Sequence, residues 1–161
     1  MMPLSDADVD RYRADGVLAP AGAVAPETLA EIRVELDRFL GELTWPNADF
    51  IPNIIDREPG WQRFATMPEL LDPVRALIGD DVILWGSGLF CKSAEGGRGT
   101  PWHQDGQYWP IRPLETVTAW IAVDRIDQGN GCLRVIPGSH RDRTLLEHGQ
   151  NDSPELILNQ E

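Results

Sequence analysis

A chain of 161 residues, 42% of them hydrophobic, is the length of one domain and can fill a core of its own. Its net charge of −12 comes from scattered acidic residues, which disfavours nucleic acid and anionic membrane as partners, because both demand clustered Lys and Arg. Cys91 and Cys132 form neither a CxxC nor a disulfide framework, and no apolar run reaches spanning length.

The opening MMPLSDADVD has neither the basic nor the apolar region of a signal peptide, so a reducing, cytoplasmic location is expected. Ser5 with Asp8 three residues on reads as an N-cap, and Gly16 as the stop of a first short helix. A second helix is predicted over 26–41, with Pro26 near its first position and Gly41 as its stop. Leu29, Ile32, Leu36, Phe39 and Leu40 recur at the helical period and define its buried face. TWPNADFIPNIIDREPGW holds three prolines and no period, so it reads as a long loop, and its residues 45–61 are expected to line an entrance. Thr66 and Glu69 fit a capping box for a third helix that Gly79 ends.

At Asp81 the texture changes. DVILWGSGLFCK, TVTAWIAVD and GCLRVIPGSH are β-branched and aromatic, and DQGNG carries an Asn-Gly turn signal between the last two. Helices first and strands afterwards, without βαβ alternation, predict an α+β domain: 1–80 mainly helical, then an antiparallel sheet or barrel over 81–161. About four strands cannot close a barrel, and LILNQE reads as the opening of another. The expectation is one domain over 1–161, incomplete at its C-terminus, whose open sheet edges invite self-association.

PWHQDGQYWP holds the clearest chemistry. In extended backbone, residues i and i+2 point the same way, so His103 and Asp105 present an imidazole and a carboxylate together while Gln104 points to the other side. A non-haem Fe(II) site that activates O2 uses two such nitrogens and one carboxylate on one face of the ion. By residue type alone, two readings stand: half of a metal site, or a polar turn in an aromatic loop. On the next strand Thr118 and Trp120 share a face and suit a pocket wall for a small polar molecule.

PWHQDGQYWPIRP, VTAWIAVDRID and NGCLRVIPGSHR, in this order, resemble the core of the phytanoyl-CoA dioxygenase family, and DVDRYRADGVLAP extends the likeness towards the N-terminus. That resemblance implies a double-stranded β-helix (a cupin-like jelly roll) and an oxygenase that uses Fe(II), 2-oxoglutarate as cosubstrate and O2. It implies that His103 and Asp105 are metal ligands, and that Gln104, Trp120 and, more weakly, Thr118 contact the cosubstrate. A small-molecule substrate is implied, with hydroxylation of an unactivated C–H. Halogenating relatives carry a small residue at the carboxylate position, so Asp105 points away from halogenation. The family's distal iron-binding histidine and the arginine beyond it have no match, since His140 lies in a turn and His148 comes too early. Two alternatives remain: a truncated, non-catalytic relative serving as a binding or interaction module, and a cupin-like metal isomerase or hydrolase.

Overall fold

The computed structural model describes residues 4–20, 22–44, 49–93 and 96–159. Helix α1 spans Asp6–Asp15 and α2 spans Pro26–Glu42; strand β1 (Phe50–Pro52) follows, then the short helices α3 (Ile54–Arg57) and α4 (Gln62–Ala65). Helix α5 (Pro68–Ile78) and strand β2 (Gly88–Phe90) complete the regular elements, apart from single 3-10 turns at Pro59–Trp61 and Asp105–Gln107.

Helix α1 forms as its end signals dictate. The Ser5 hydroxyl accepts from the Asp8 amide at 3.2 Å, and the Asp8 carboxylate accepts from the Ser5 amide at 3.1 Å. Gly16 closes the helix in the left-handed region (φ +76°), its N–H donating to Tyr12 O at 2.7 Å. The turn at residues 138–141 then satisfies the next three carbonyls. Gly138 N–H donates to Asp15 O (2.9 Å), His140 Nε2–H to Arg13 O (3.0 Å) and Arg141 Nε–H to Ala14 O (2.8 Å). His140 is thus a helix cap, bound to backbone. A Cβ on Gly16 would lie 2.5 Å from His140 Nδ1. Gly16→Ala is therefore expected to lose about 1–2 kcal/mol from the left-handed backbone alone, and more from the displaced imidazole. The check is the urea midpoint of the variant against that of the parent.

Helix α2 buries Ile32, Leu36 and Phe39, three of the five residues predicted for its inner face. They pack with Ile51, Ile54, Trp61 and Phe64, and Leu89, Cys91 and Val123 close the cluster from the second half of the chain. Three expectations are corrected here. The segment 49–61 is no structureless entrance loop: it supplies β1, α3 and a 3-10 turn, and Ile51 is fully buried (0% exposed). Ile51 on β1 and Ile54 at the start of α3 both turn inward, where burial outweighs the weak local propensity. Residues 45–48 of the expected entrance lie outside the described residues. Thr66 makes no capping box either; its hydroxyl donates back to Gln62 O at 2.9 Å, and α5 starts after Met67 without a side-chain cap. Helix α2 ends at Glu42, within one residue of the predicted stop at Gly41.

The third correction concerns the sheet. Strands β1 and β2 pair antiparallel, Phe50 opposite Phe90 and Ile51 opposite Leu89. Beyond an isolated parallel bridge between Gly99 and Leu156, no other ladder forms among the described residues. TVTAWIAVD and GCLRVIPGSH have the composition of strands, but a strand is completed by a hydrogen-bonded neighbour, and none lies beside them. Much of their apolar surface stands in solvent accordingly, with Leu133 57% and Ile136 58% exposed, while Val123 reaches the core cluster. Helices with a small antiparallel sheet agree with the α+β expectation, although β1 lies within the helical half; the described residues do not trace a jelly roll. No helix among the described residues is long and apolar enough to cross a membrane.

Candidate metal centre

The stretch that leads into His103 is tied down on two sides. Asp49, 4% exposed, takes the Arg98 Nε–H at 2.9 Å, and the guanidinium holds its carboxyl below the usual carboxylate range. The Asp49 carbonyl accepts from Cys91 N–H, which fixes the same segment to the end of β2. Lys92 Nζ donates to Arg98 O, so this lysine serves the loop's backbone. On the other side, Gly99 N–H donates to Glu155 O and Ile157 N–H to Gly99 O, each at 2.8 Å. Pro101 is buried, and Arg134 lies 5.2 Å above the Trp102 ring.

Beyond this anchor the backbone is extended at Gln104 (φ −116°, ψ 121°), so alternation acts as the sequence predicts. His103 Nε2 and Asp105 Oδ1 meet on one side at 3.2 Å. Gln104 turns to the other, where its amide engages residues 144–146. His103 Nδ1–H donates to Pro101 O at 2.8 Å, which orients the ring and directs Nε2 at the carboxylate. Thr118 Oγ1–H donates to Asp105 Oδ2 at 3.0 Å, leaving Oδ1 to face the imidazole. Just after Asp105, Gly106 fits beneath Leu114, whose Cδ2 would lie 3.0 Å from any Cβ added there.

The electrostatics follow from these contacts. The hydrogen bond to Asp105 raises the His103 pKa above 6.5, against a burial effect that lowers it, and the Pro101 carbonyl adds to the rise. Asp105 is held below 3.8, first by His103 and then, against burial, by Thr118. A metal ion would take the place of the Nε2 proton, because ligation requires the neutral imidazole. Two ligand atoms about 2.1 Å from one ion and at right angles lie about 3.0 Å apart, so the observed 3.2 Å suits adjacent coordination positions. The donor set, one imidazole nitrogen and one carboxylate oxygen with orienting partners behind each, fits a divalent transition metal.

Residues 12–155 match the phytanoyl-CoA dioxygenase (PhyH) family. The chain belongs to that family. It is 30% identical over 150 residues to the peroxisomal phytanoyl-CoA dioxygenase of Bos taurus, covering 86% of this chain and 42% of the relative. The corresponding protein of Mus musculus is 32% identical over 152 residues, 90% of this chain and 44% of the relative. An ectoine dioxygenase of Streptomyces avermitilis is 25% identical over 155 residues, 86% and 52%. The chain thus spans less than half the length of these phytanoyl-CoA dioxygenases and about half that of the ectoine enzyme. No solved structure matches it.

Of the residues singled out in this phytanoyl-CoA dioxygenase family chain, the structure brings His103, Asp105 and Thr118 together, with Thr118 acting on the carboxylate. Trp120 is 40% exposed, and neither a hydrogen bond nor a ring contact joins it to the pair among the described residues. Arg112 folds back on its own turn, donating to Ile111 O and Trp109 O. His148 lies close by but is turned to other work. Its Nε2 accepts from the Gln104 amide at 2.9 Å, and its Nδ1–H donates to Leu146 O at 2.9 Å. The Tyr108 ring stands edge-on between the imidazoles of His103 and His148, at 6.0 and 6.3 Å. Among the described residues, no third His, Cys, Asp or Glu joins His103 and Asp105 in a group that could hold an ion. The sequence reading missed the tie between Gln104 and residues 144–148. Its partners are about 40 residues apart, and a polar side chain in a turn gives no signal of where it lands.

Proposed function

We propose that this chain carries two metal ligands, His103 and Asp105, of a cytoplasmic Fe(II)- and 2-oxoglutarate-dependent dioxygenase that hydroxylates an unactivated C–H of a small molecule. The observation that supports this most is the convergence of His103 Nε2 and Asp105 Oδ1 at 3.2 Å, each oriented by a second partner, in a chain of this family. When bound, Fe(II) with 2-oxoglutarate and O2 would supply the oxidising power, with succinate and CO2 formed alongside the hydroxylated product. The chain's own residues do the rest. His103 gives up its Nε2 proton on metal binding and keeps its ring fixed through Pro101 O. Asp105 offers Oδ1 while Thr118 restrains Oδ2. The Trp120 indole is our proposed wall for the cosubstrate. With a carboxylate at this position, a coordination site is filled that chloride would otherwise take, so hydroxylation is the proposed outcome.

The relatives named above are a phytanoyl-CoA dioxygenase and an ectoine dioxygenase, so acyl thioesters and small cyclic amino-acid derivatives are the substrate classes to try. The test is succinate formation with Fe(II), 2-oxoglutarate, O2 and each candidate substrate. Succinate that disappears when any one of these is withheld, with a product that gains oxygen and no halogen in chloride buffer, supports the reading. Succinate formed equally without Fe(II) overturns it. The absence of a third potential ligand beside His103 and Asp105 among the described residues favours one second reading, a binding module without catalysis. That reading expects substrate-class ligands to bind with no dependence on metal.

A further inference from the structure

The Gln104 side chain is engaged at both ends. Its Nε2–H donates to Thr144 O at 3.0 Å, and its Oε1 accepts from Leu146 N–H at 2.7 Å. A residue in a parallel β ladder makes the same two bonds, its N–H to the carbonyl of residue i and its C=O to the N–H of residue i+2 of the neighbour, so the side-chain amide takes the part of an adjoining strand. The backbone adds a third tie, Gln104 N–H to His148 Nε2, and His148 is itself set by donating to Leu146 O. Residues 144–148 therefore hold Gln104 from its side chain and its main chain together. Gln104 is also the residue between the two ligands. Any rotation about its φ or ψ turns His103 relative to Asp105 and so changes the 3.2 Å between Nε2 and Oδ1.

We infer that Gln104 is a positioning residue: its amide clamps residues 144–148 across the back of the His-x-Asp segment and so sets the separation of the two metal ligands. This rests on the metal reading of His103 and Asp105 given above. It differs from a cosubstrate contact, because both polar ends of the side chain are already taken, by Thr144 O and by Leu146 N–H. Partners behind metal ligands contribute by holding them in place, and their loss commonly weakens metal binding by roughly 10–100-fold.

The test uses the full chain, Co(II) as probe ion, and the variants Gln104→Ala, Gln104→Glu and Gln107→Ala. Three readouts are taken: Co(II) affinity, the visible Co(II) spectrum, and hydrogen exchange at the Leu146 and Ile51 amides. Gln104→Ala is expected to weaken Co(II) binding about tenfold, to alter band positions and intensities, and to speed exchange at Leu146 while Ile51 stays protected. Gln104→Glu keeps the acceptor for Leu146 N–H but sets a carboxylate against Thr144 O, and should fall between. Gln107→Ala, on an exposed side chain in the same turn, should match the parent in all three. Should Gln104→Ala also lose Ile51 protection, Gln104→Glu decides in its place. A parent chain that binds no Co(II) overturns the metal reading and this inference with it. A parent that binds Co(II), with Gln104→Ala equal to it in affinity and spectrum, overturns this inference alone. So does an unchanged Leu146 exchange rate in Gln104→Ala.

Discussion

Replacing His103 with Ala is expected to abolish Fe(II) uptake and to leave the fold standing. The variant removes the single imidazole nitrogen directed at Asp105, and with it one of the two ligand atoms that meet at 3.2 Å. One carboxylate oxygen that remains, on a side chain 44% exposed, is a weak site for a divalent ion in water. The cost to folding is small by comparison. His103 lies outside the core cluster, and its loss removes one neutral hydrogen bond to Pro101 O and a partly exposed pairing with Asp105, together about 1–2 kcal/mol. Anaerobic Fe(II) titration and a urea unfolding curve on the same sample separate the two effects. A variant that takes up Fe(II) as the parent does would return His-x-Asp to the status of a polar turn.

Ile51→Ala is expected to cause the largest loss of stability, about 2–5 kcal/mol, because it deletes a fully buried branched side chain whose site cannot collapse freely. Ile51 lies at the centre of the two-stranded ladder, opposite Leu89, and packs against the apolar face of α2 and the Trp61–Phe64 pair. Against a typical total of about 5–15 kcal/mol for a domain, such a loss moves the unfolding midpoint far. The same substitution in a mobile entrance loop would cost within about 0.5 kcal/mol. The urea midpoint therefore decides whether residues 50–61 are core or rim.

The contrast between those two sites shows what the sequence made legible. Ser5, Asp8, Gly16 and Pro26 were read correctly because a helix end is decided within four residues of itself. The shared side of His103 and Asp105 was equally local, needing only extended backbone at Gln104. Thr66 shows where local reading fails. Its hydroxyl had two backbone choices, the helix ahead and the turn behind, and it took Gln62 O behind it. The segment 49–61 was misread for a different reason. Its prolines and short apolar pairs look like a loop, and only the face of α2 and the edge of β2, distant in sequence, make Ile51 and Ile54 core residues. The strand-like stretches at 116–124 and 131–136 were legible as composition and illegible as pairing, since a ladder is a property of two segments. Thr118, expected on a pocket wall, also donates to Asp105 Oδ2, a contact that no pattern within its own segment announces. The caps that Gly138, His140 and Arg141 place on α1 link residues about 120 apart, beyond the reach of any pattern within either segment.

His103 and Asp105 together are proposed to form a metal site at which a 2-oxo acid is then bound. The most direct test is the order of binding, followed by anaerobic calorimetry on the parent chain with Fe(II) and 2-oxoglutarate added in either sequence. Fe(II) is expected to bind alone, to release a proton as His103 gives up Nε2–H, and to create a 2-oxoglutarate site that is absent before the metal is added. Binding of 2-oxoglutarate with the same affinity in the presence of a chelator, or no heat and no proton release with Fe(II), would contradict it.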